Sequence, residues 1–529
     1  MRVLVFHGYL LRGTGSNVYN ADLAAALTEL GHEVHLFCQD RRAAELDFVG
    51  RVADWDQGEL RFTSVRDTSC TVYRPDIGGL LPVYVADRYE GIEARPFQEL
   101  TDEQLESYLD ANVRAVSEIA LRAEPDVALA NHLVMGPAIM ARALKGTQVP
   151  YAVKIHGSAL EYTIKPYPRF LPYAREGIAP ANTVLVGSRR DAENLWTTLA
   201  DRSLPARTRL GTPGVDTTRF HPSERSEALD RLCALARRMA DRASLEARHQ
   251  DPVDDPGDSS FSRDEDTTAQ ELLALADAAG SGPLVGFVGK LIVSKGIDLL
   301  LAAWPLVLDE VPSASLAVVG FGAYEGAVVR WIDALASGDM DGVRDLIDAG
   351  PAAEGGERAP LDFARSFFEE LERSGGLGRY LKAAAPLRER VILTGRLEHD
   401  ELAAVLPLCE ALVVPSTFPE SFGMVVVEAA ACGALPISAD HSGLAEVSRT
   451  LTGGLAEPVA ELTRFPLGSD VVRSIATRVS TWLSQAPELR GKVESGVAQA
   501  AAARYSWPSI ARDVIVAARG ELERLEPLA

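Results

Sequence analysis

Pro419-Glu420-Ser421-Phe422-Gly423-Met424-Val425-Val426-Val427-Glu428-Ala429-Ala430-Ala431-Cys432-Gly433 decides how this chain is read. The first carboxylate lies in a Ser/Gly loop, and the small apolar run that follows carries the second, eight residues on. Cys432-Gly433 ends the run. Read as a helix, the run leaves Glu420 in the loop at its N-terminus and sets Glu428 about two turns along one side. Carboxylates only accept hydrogen bonds, so two at that separation can grip two sets of hydroxyls on one extended ligand. The N–H groups at the helix start favour anionic oxygens such as those of phosphate. A sugar joined to a nucleotide through a diphosphate has hydroxyls, phosphates, then hydroxyls again.

Outward from this stretch, short apolar runs alternate with helical patterns. Leu284–Val288, Leu316–Val319, Val391–Thr394, Ala411–Val414 and Leu435–Ser438 read as the strands of one parallel sheet. Arg2–Phe6, Glu33–Cys38, Val127–Ala130, Tyr151–Ile155 and Thr183–Val186 read as those of another, with helices predicted over Asn20–Leu30 and Asp102–Ala123. The chain is therefore α/β, with two doubly wound domains joined near Leu210–Pro222. Such sheets bind ligands at the carboxyl ends of their strands, and a cleft between domains is the expected site.

Two stretches interrupt the rhythm. Residues 223–282 open as a mixed-charge helix and pass through an Asp/Pro/Ser-rich run, Asp251–Ser260, then Asp264-Glu265-Asp266. That composition reads as an acidic, mobile insertion. Residues 324–386 read as a helical insertion, punctuated by Gly and Pro around Gly350–Pro360.

The 529 residues carry a formal net charge of -22, from 53 basic and 75 acidic side chains. That balance argues against broad binding to nucleic acid or to anionic membrane surfaces. The five cysteines are scattered without a CxxC pair, which fits a reducing cytoplasm and no structural metal. The opening Met1–Gly8 reads as a first strand rather than a signal peptide, and no transmembrane segment is expected.

Several loops carry candidate chemistry. Arg12-Gly13-Thr14-Gly15-Ser16-Asn17 follows the first strand, where glycines let backbone approach a phosphate. Val18 stands where a dinucleotide fold would want its third glycine, against NAD. Lys154-Ile155-His156-Gly157-Ser158 and Ala130-Asn131-His132 each put a histidine at a strand end. Gly289-Lys290-Leu291-Ile292-Val293-Ser294-Lys295-Gly296 sets two cations in one loop, able to neutralise a diphosphate.

Taken in order, these segments resemble the retaining glycosyltransferases of family 4, which have the GT-B fold. The E-x7-E pair falls on Glu420 and Glu428, and G-R-L-x-x-x-K-G falls on Gly289–Gly296. Here Lys290 replaces the usual arginine, a point charge without a bidentate fork. Gly320-Phe321-Gly322, Thr394-Gly395-Arg396-Leu397, Gly214-Val215-Asp216-Thr217-Thr218-Arg219-Phe220 and Tyr505-Ser506-Trp507 resemble further family segments. The resemblance covers nearly the whole chain outside the two insertions.

The resemblance implies two Rossmann-like domains facing a central cleft. Residues 1–222 would form the acceptor side, completed by a C-terminal helix at 506–529. Residues 283–505 would form the nucleotide-sugar domain. The implied activity is transfer of a hexosyl unit from a UDP-, GDP- or ADP-linked sugar to an unidentified small-molecule, glycan or lipid acceptor, with retained configuration, in the cytoplasm, with no metal and no cofactor besides the donor. His156, Lys290, Lys295 and Glu420 would be catalytic. Lys290 and Lys295 would stabilise the departing diphosphate, His156 would support the sugar and the developing charge, and Glu420 would position the ring. Gly13, Gly15, Gly320, Gly395, Arg396, Ser421, Phe422, Gly423, Met424 and Glu428 would bind the donor, Glu428 through ribose hydroxyls. Arg88, Tyr89 and His132 are the acceptor candidates. Two other readings fit the same residues: a GT-B-fold nucleotide-sugar epimerase or hydrolase, and a non-catalytic nucleotide-sugar-binding scaffold.

Overall fold

The computed structural model describes residues 1–56, 58–84, 92–249 and 263–528. They fall into two compact units. One comprises Met1–Gly214 and the C-terminal segment from Tyr505; the other comprises the described residues between.

In the first unit the strands are β1 (Arg2–Phe6), β2 (Glu33–Phe37), β3 (Val49–Asp56), β4 (Glu59–Ser64), β5 (Cys70–Arg74), β6 (Leu80–Val83), β7 (Glu93–Pro96), β8 (Val127–Asn131), β9 (Tyr151–Lys154), β10 (Thr183–Val186) and β11 (Thr208–Leu210). Nine of them form one sheet in the order β11-β10-β9-β8-β1-β2-β5-β3-β4, and β6 pairs with β7 separately. The large sheet is parallel except for the β3–β4 hairpin. Strand β1 is apolar on both faces because both are covered. Leu4 and Phe6 enter one core; Val3 and Val5 enter the other, with Ile510, Ala511 and Val514 of the C-terminal helix Trp507–Arg519. That helix is tied down where Asn182 Nδ2 donates to Ala518 O at 2.9 Å and Thr183 Oγ1 to Ala517 O at 2.8 Å.

The helix Asp102–Ala123 has the bounds its pattern predicts. Thr101 and Gln104 form a capping box, with side chain-to-backbone bonds of 3.1 and 3.2 Å. The helix after β1 begins at Gly15 rather than Asn20, because Asn17 and Tyr19 are already buried in its first turns.

The second unit contains β12 (Leu284–Val288), β13 (Ser315–Val319), β14 (Val391–Gly395), β15 (Cys409–Val414), β16 (Leu435–Ala439) and β17 (Arg464–Phe465). They form a parallel sheet ordered β14-β13-β12-β15-β16-β17. Strand order therefore reverses at β12, between its neighbours β13 and β15, the pattern of a Rossmann sheet with its ligand crevice at the reversal.

The first insertion is more ordered than its composition suggests. Helix Arg225–His249 packs against a second helix, Glu265–Ser281. The acidic Asp264 is that helix's N-cap, accepting from Asp266 N at 3.0 Å and Thr267 N at 3.2 Å. The expectation of a mobile linker is corrected for residues 263–281; the Asp/Pro/Ser run at 251–260 lies outside the described residues. The second insertion holds helices Glu325–Ser337, Met340–Ala349, Asp362–Ser374 and Leu377–Ala384. Among the described residues no helix is long and apolar enough to cross a membrane.

Candidate active site

The loops after β12, β13 and β14 are laced together through their backbones. Gly289 N donates to Val319 O at 3.0 Å, Gly320 N to Gly395 O at 2.9 Å, and Leu291 N to Phe321 O at 2.8 Å. The glycines are needed for closeness: a Cβ on Gly320 would lie 1.9 Å from Gly289 O, and one on Gly296 would lie 2.1 Å from Pro415 O. Lys290 Nζ lies 6.0 Å from the centre of the Phe321 ring, and the Arg396 guanidinium lies 5.7 Å from it, so both cations share one aromatic ring. The second insertion reaches the same place, where Glu354 accepts from Val293 N at 2.7 Å.

Lys295 ends the short turn Val293–Lys295 and pairs with Glu420. Ser416 Oγ donates to Glu420 Oε1 at 2.7 Å, and Glu420 N donates to Ser442 Oγ at 3.0 Å. Burial penalises the Glu420 carboxylate, but the Lys295 charge and the hydrogen bonds from Lys295 and Ser416 outweigh it and hold the pKa below the usual range. Glu420 is thus an ionised acceptor in the loop before helix Met424–Ala431, as the spacing predicts. Gly423, at φ 109°, makes the turn into that helix, and a Cβ there would lie 2.7 Å from Leu444 Cδ2. Phe422 is buried beside it, while Ser421 and Met424 are part-exposed.

Glu428 lies on the helix and is 3% exposed. His399 Nε2 meets its Oε1 at 2.9 Å. Arg396, next to Gly395 in the loop after β14, has its carbonyl held by Arg263 Nη1 at 3.1 Å. Arg263, from the first insertion, also pairs with Glu265 and Glu401.

The first unit reverses strand order at β1, between β2 and β8, and its histidines gather at the strand ends there. The His7 and His132 rings stack at 5.4 Å; His132 also meets Tyr9 and Tyr84 at 5.0 Å and His156 at 4.9 Å. Asn20 Nδ2 donates to His7 Nδ1 at 3.0 Å, so Nε2 carries the proton that reaches Leu10 O and Asn17 Oδ1. Asn131 Nδ2 donates to Phe6 O, which turns its oxygen to accept from His156 Nε2 at 2.8 Å. Burial lowers the pKa of all three histidines, that of His7 to about 4. His132 is 4% exposed, has φ 69°, and neither ring nitrogen finds a partner among the described residues. Lys154 lies under this group, 5.5 Å from the Tyr19 ring, with burial lowering its pKa to about 8. Gly13, at φ 90°, and Gly15, the first residue of helix Gly15–Glu29, form the loop after β1.

Two family descriptions match the chain: "Glycosyl transferase 4-like domain" over residues 14–203 and "Glycosyl transferases group 1" over residues 379–461. A D-inositol 3-phosphate glycosyltransferase of Frankia alni is 25% identical over 436 residues, covering 80% of this chain and 82% of that protein. An uncharacterised glycosyltransferase of Methanocaldococcus jannaschii is 24% identical over 233 residues, 44% of this chain, and the match spans only 43% of that protein's length. Among solved structures, Anabaena HepE in complex with UDP and glucose superposes with a TM-score of 0.54 at 15% identity, over 97% of this chain and 98% of that one. The chain is a group 1 glycosyltransferase with the GT-B fold.

In this glycosyltransferase the motif residues divide between the units. Lys290, Lys295, Gly320, Gly395, Arg396, Glu420, Ser421, Phe422, Gly423, Met424 and Glu428 lie in the second unit; Gly13, Gly15, His132 and His156 lie in the first. Arg88 and Tyr89 lie outside the described residues. Sequence reasoning missed His7, Asn131, His399 and His441. His441 Nε2 meets Ser416 O at 2.8 Å and its Nδ1 meets Ser442 Oγ at 3.1 Å, so it braces both Glu420 contacts. His7 could have been found, since it directly follows the first strand as His156 follows its own; His399 and His441 belong to no quoted motif.

Proposed function

We propose that this glycosyltransferase transfers a hexosyl unit from a nucleoside-diphosphate sugar to an acceptor hydroxyl, with retention of configuration. The observation that carries the reading is the meeting of Lys295, Ser416 and Glu420 at the strand-order reversal of a Rossmann sheet. An ionised carboxylate there accepts from sugar hydroxyls, while Lys290 and Lys295 offer charge to a departing diphosphate. Glu428 accepts from the ribose. In the first unit His156 is held neutral by burial, its Nε2 proton donated to Asn131 Oδ1. The unsatisfied His132 ring suits an acceptor hydroxyl.

The step is a front-face displacement. The bond from the anomeric carbon to the phosphate oxygen breaks, the bond to the acceptor oxygen forms on the same face, and the leaving phosphate oxygen takes the acceptor proton. The UDP bound by HepE and the inositol phosphate named for the Frankia relative make a UDP-linked sugar and a polyol acceptor the first to try.

The test is a thermal-shift screen against UDP, GDP, ADP and their sugar conjugates. A ligand that binds only the folded chain raises its melting temperature. A shift with one nucleotide family, followed by NMR of a glycosylated product with unchanged anomeric configuration, is the expected outcome. Free nucleotide with an altered sugar and no acceptor would replace transfer by epimerisation or hydrolysis. No shift with any nucleotide would overturn the donor assignment.

A further inference from the structure

We propose that His399 is a positioning residue for ribose recognition, locked by Arg219 in the one tautomer that can hold Glu428; the assignment rests on the donor reading above. Glu428 is a buried carboxylate on a short helix, and a buried carboxylate needs a fixed donor. His399 Nε2 lies 2.9 Å from Glu428 Oε1. On the other side of the ring, Arg219 Nη1 lies 3.3 Å from His399 Nδ1. A guanidinium can only donate, so Nδ1 must accept and the ring proton must sit on Nε2, facing Glu428. With Oε1 held by His399, the second Glu428 oxygen is the one assigned to a ligand hydroxyl.

The support continues outward. Arg219 is held by Asp400 at 3.1 Å and Asp216 at 3.7 Å, and the Phe220 ring lies 4.9 Å from the imidazole. Asp216 in turn caps its own turn, accepting from Thr218 N at 2.9 Å. His399 opens a short helix whose capping box, Glu398 and Glu401, is clamped by Arg263. Groups this interlocked around one carboxylate fix its direction, the same logic by which outer partners orient metal-ligating histidines.

The assignment is tested on the full chain with UDP and 2′-deoxy-UDP, and with the ADP and GDP pairs in parallel, by calorimetry. In the natural chain the ribonucleotide should bind about tenfold more tightly than its deoxy counterpart, one hydrogen bond to a charged group. His399→Phe keeps a ring beside Phe220 but removes the donor; the ratio should fall to near one, chiefly by weakening the ribonucleotide. His399→Gln should restore part of it. Arg219→Met, which leaves the imidazole in place but frees its tautomer, should lower the ratio as well, and serves if His399→Phe does not fold. An unchanged ratio in the folded His399 and Arg219 variants overturns the assignment while leaving the donor reading intact. Absence of any nucleotide binding by the natural chain overturns both, and binding without ribose preference overturns the ribose role alone.

Discussion

Lys295 donates to the same Glu420 oxygen, Oε1, that accepts the Ser416 hydroxyl at 2.7 Å. The two residues are 125 positions apart and meet only because β12 and β15 are neighbours in the sheet.

Replacing Lys295 with Met keeps the stem and removes the charge. Turnover should fall roughly 10²- to 10³-fold, the usual effect of losing one charge-stabilising group. Stability at neutral pH should fall by about 2 kcal/mol, because a largely buried carboxylate loses its ion pair. The Glu420 pKa is lowered in the folded chain, so its contribution is present above the ordinary carboxylate range and is lost as pH falls through the folded value. The stability gap between natural and variant chains should therefore narrow as pH falls below the ordinary carboxylate range, as followed by urea melts. A gap that is constant with pH would mean that the pair does not set the Glu420 charge.

Gly320→Ala should separate the loops after β12 and β13, because the added methyl meets Gly289 O at 1.9 Å. Overpacking of this kind costs about 1–3 kcal/mol. Nucleotide-induced thermal shifts should disappear. Gly454→Ala, with nothing within 4 Å of its new Cβ, is the control and should behave as the natural chain does. Equal shifts in both variants would remove the backbone lacing from the account.

The histidine cluster makes stability acid-sensitive. Unfolded, His7 takes a proton near the ordinary imidazole value of 6.5; folded, it resists until about 4. Between those values the unfolded state binds more protons, so stability falls as pH falls, by roughly 3 kcal/mol for this group. His132 and His156 shift in the same direction. His132→Phe should preserve the stacking on His7 and flatten the loss of stability between pH 6.5 and 4. A slope equal to that of the natural chain would show that His132 takes up its proton while folded.

Much of this architecture is legible before any coordinates. Thr183–Val186 and Leu284–Val288 are strands with the predicted bounds, because parallel strands buried on both faces write continuous apolar runs. The β3–β4 hairpin was not legible: β4, Glu-Leu-Arg-Phe-Thr-Ser, lies at a sheet edge with mostly exposed side chains, so it carries little apolar signal. Helix Glu265–Ser281 was obscured because its acidic N-cap resembles the linker before it. In the site, the loop glycines and lysines announce themselves by local spacing. His399 does not, because its partners, Arg219 and Glu428, are 180 and 29 residues away and the contact exists only once the unit is folded.

The helix Trp507–Arg519 belongs to the unit that the chain begins, not the one it has just finished. The sheet face bearing Val3 and Val5 needs Ile510, Ala511 and Val514 to cover it, and Gly214 exists to admit the Trp507 ring, against which a Cβ would lie 2.5 Å away. During synthesis the first half of the protein must therefore wait, with part of one apolar face uncovered, until this helix leaves the ribosome. The order of translation and the order of completion are inverted, and a chain released early would lack the covering of the part it made first.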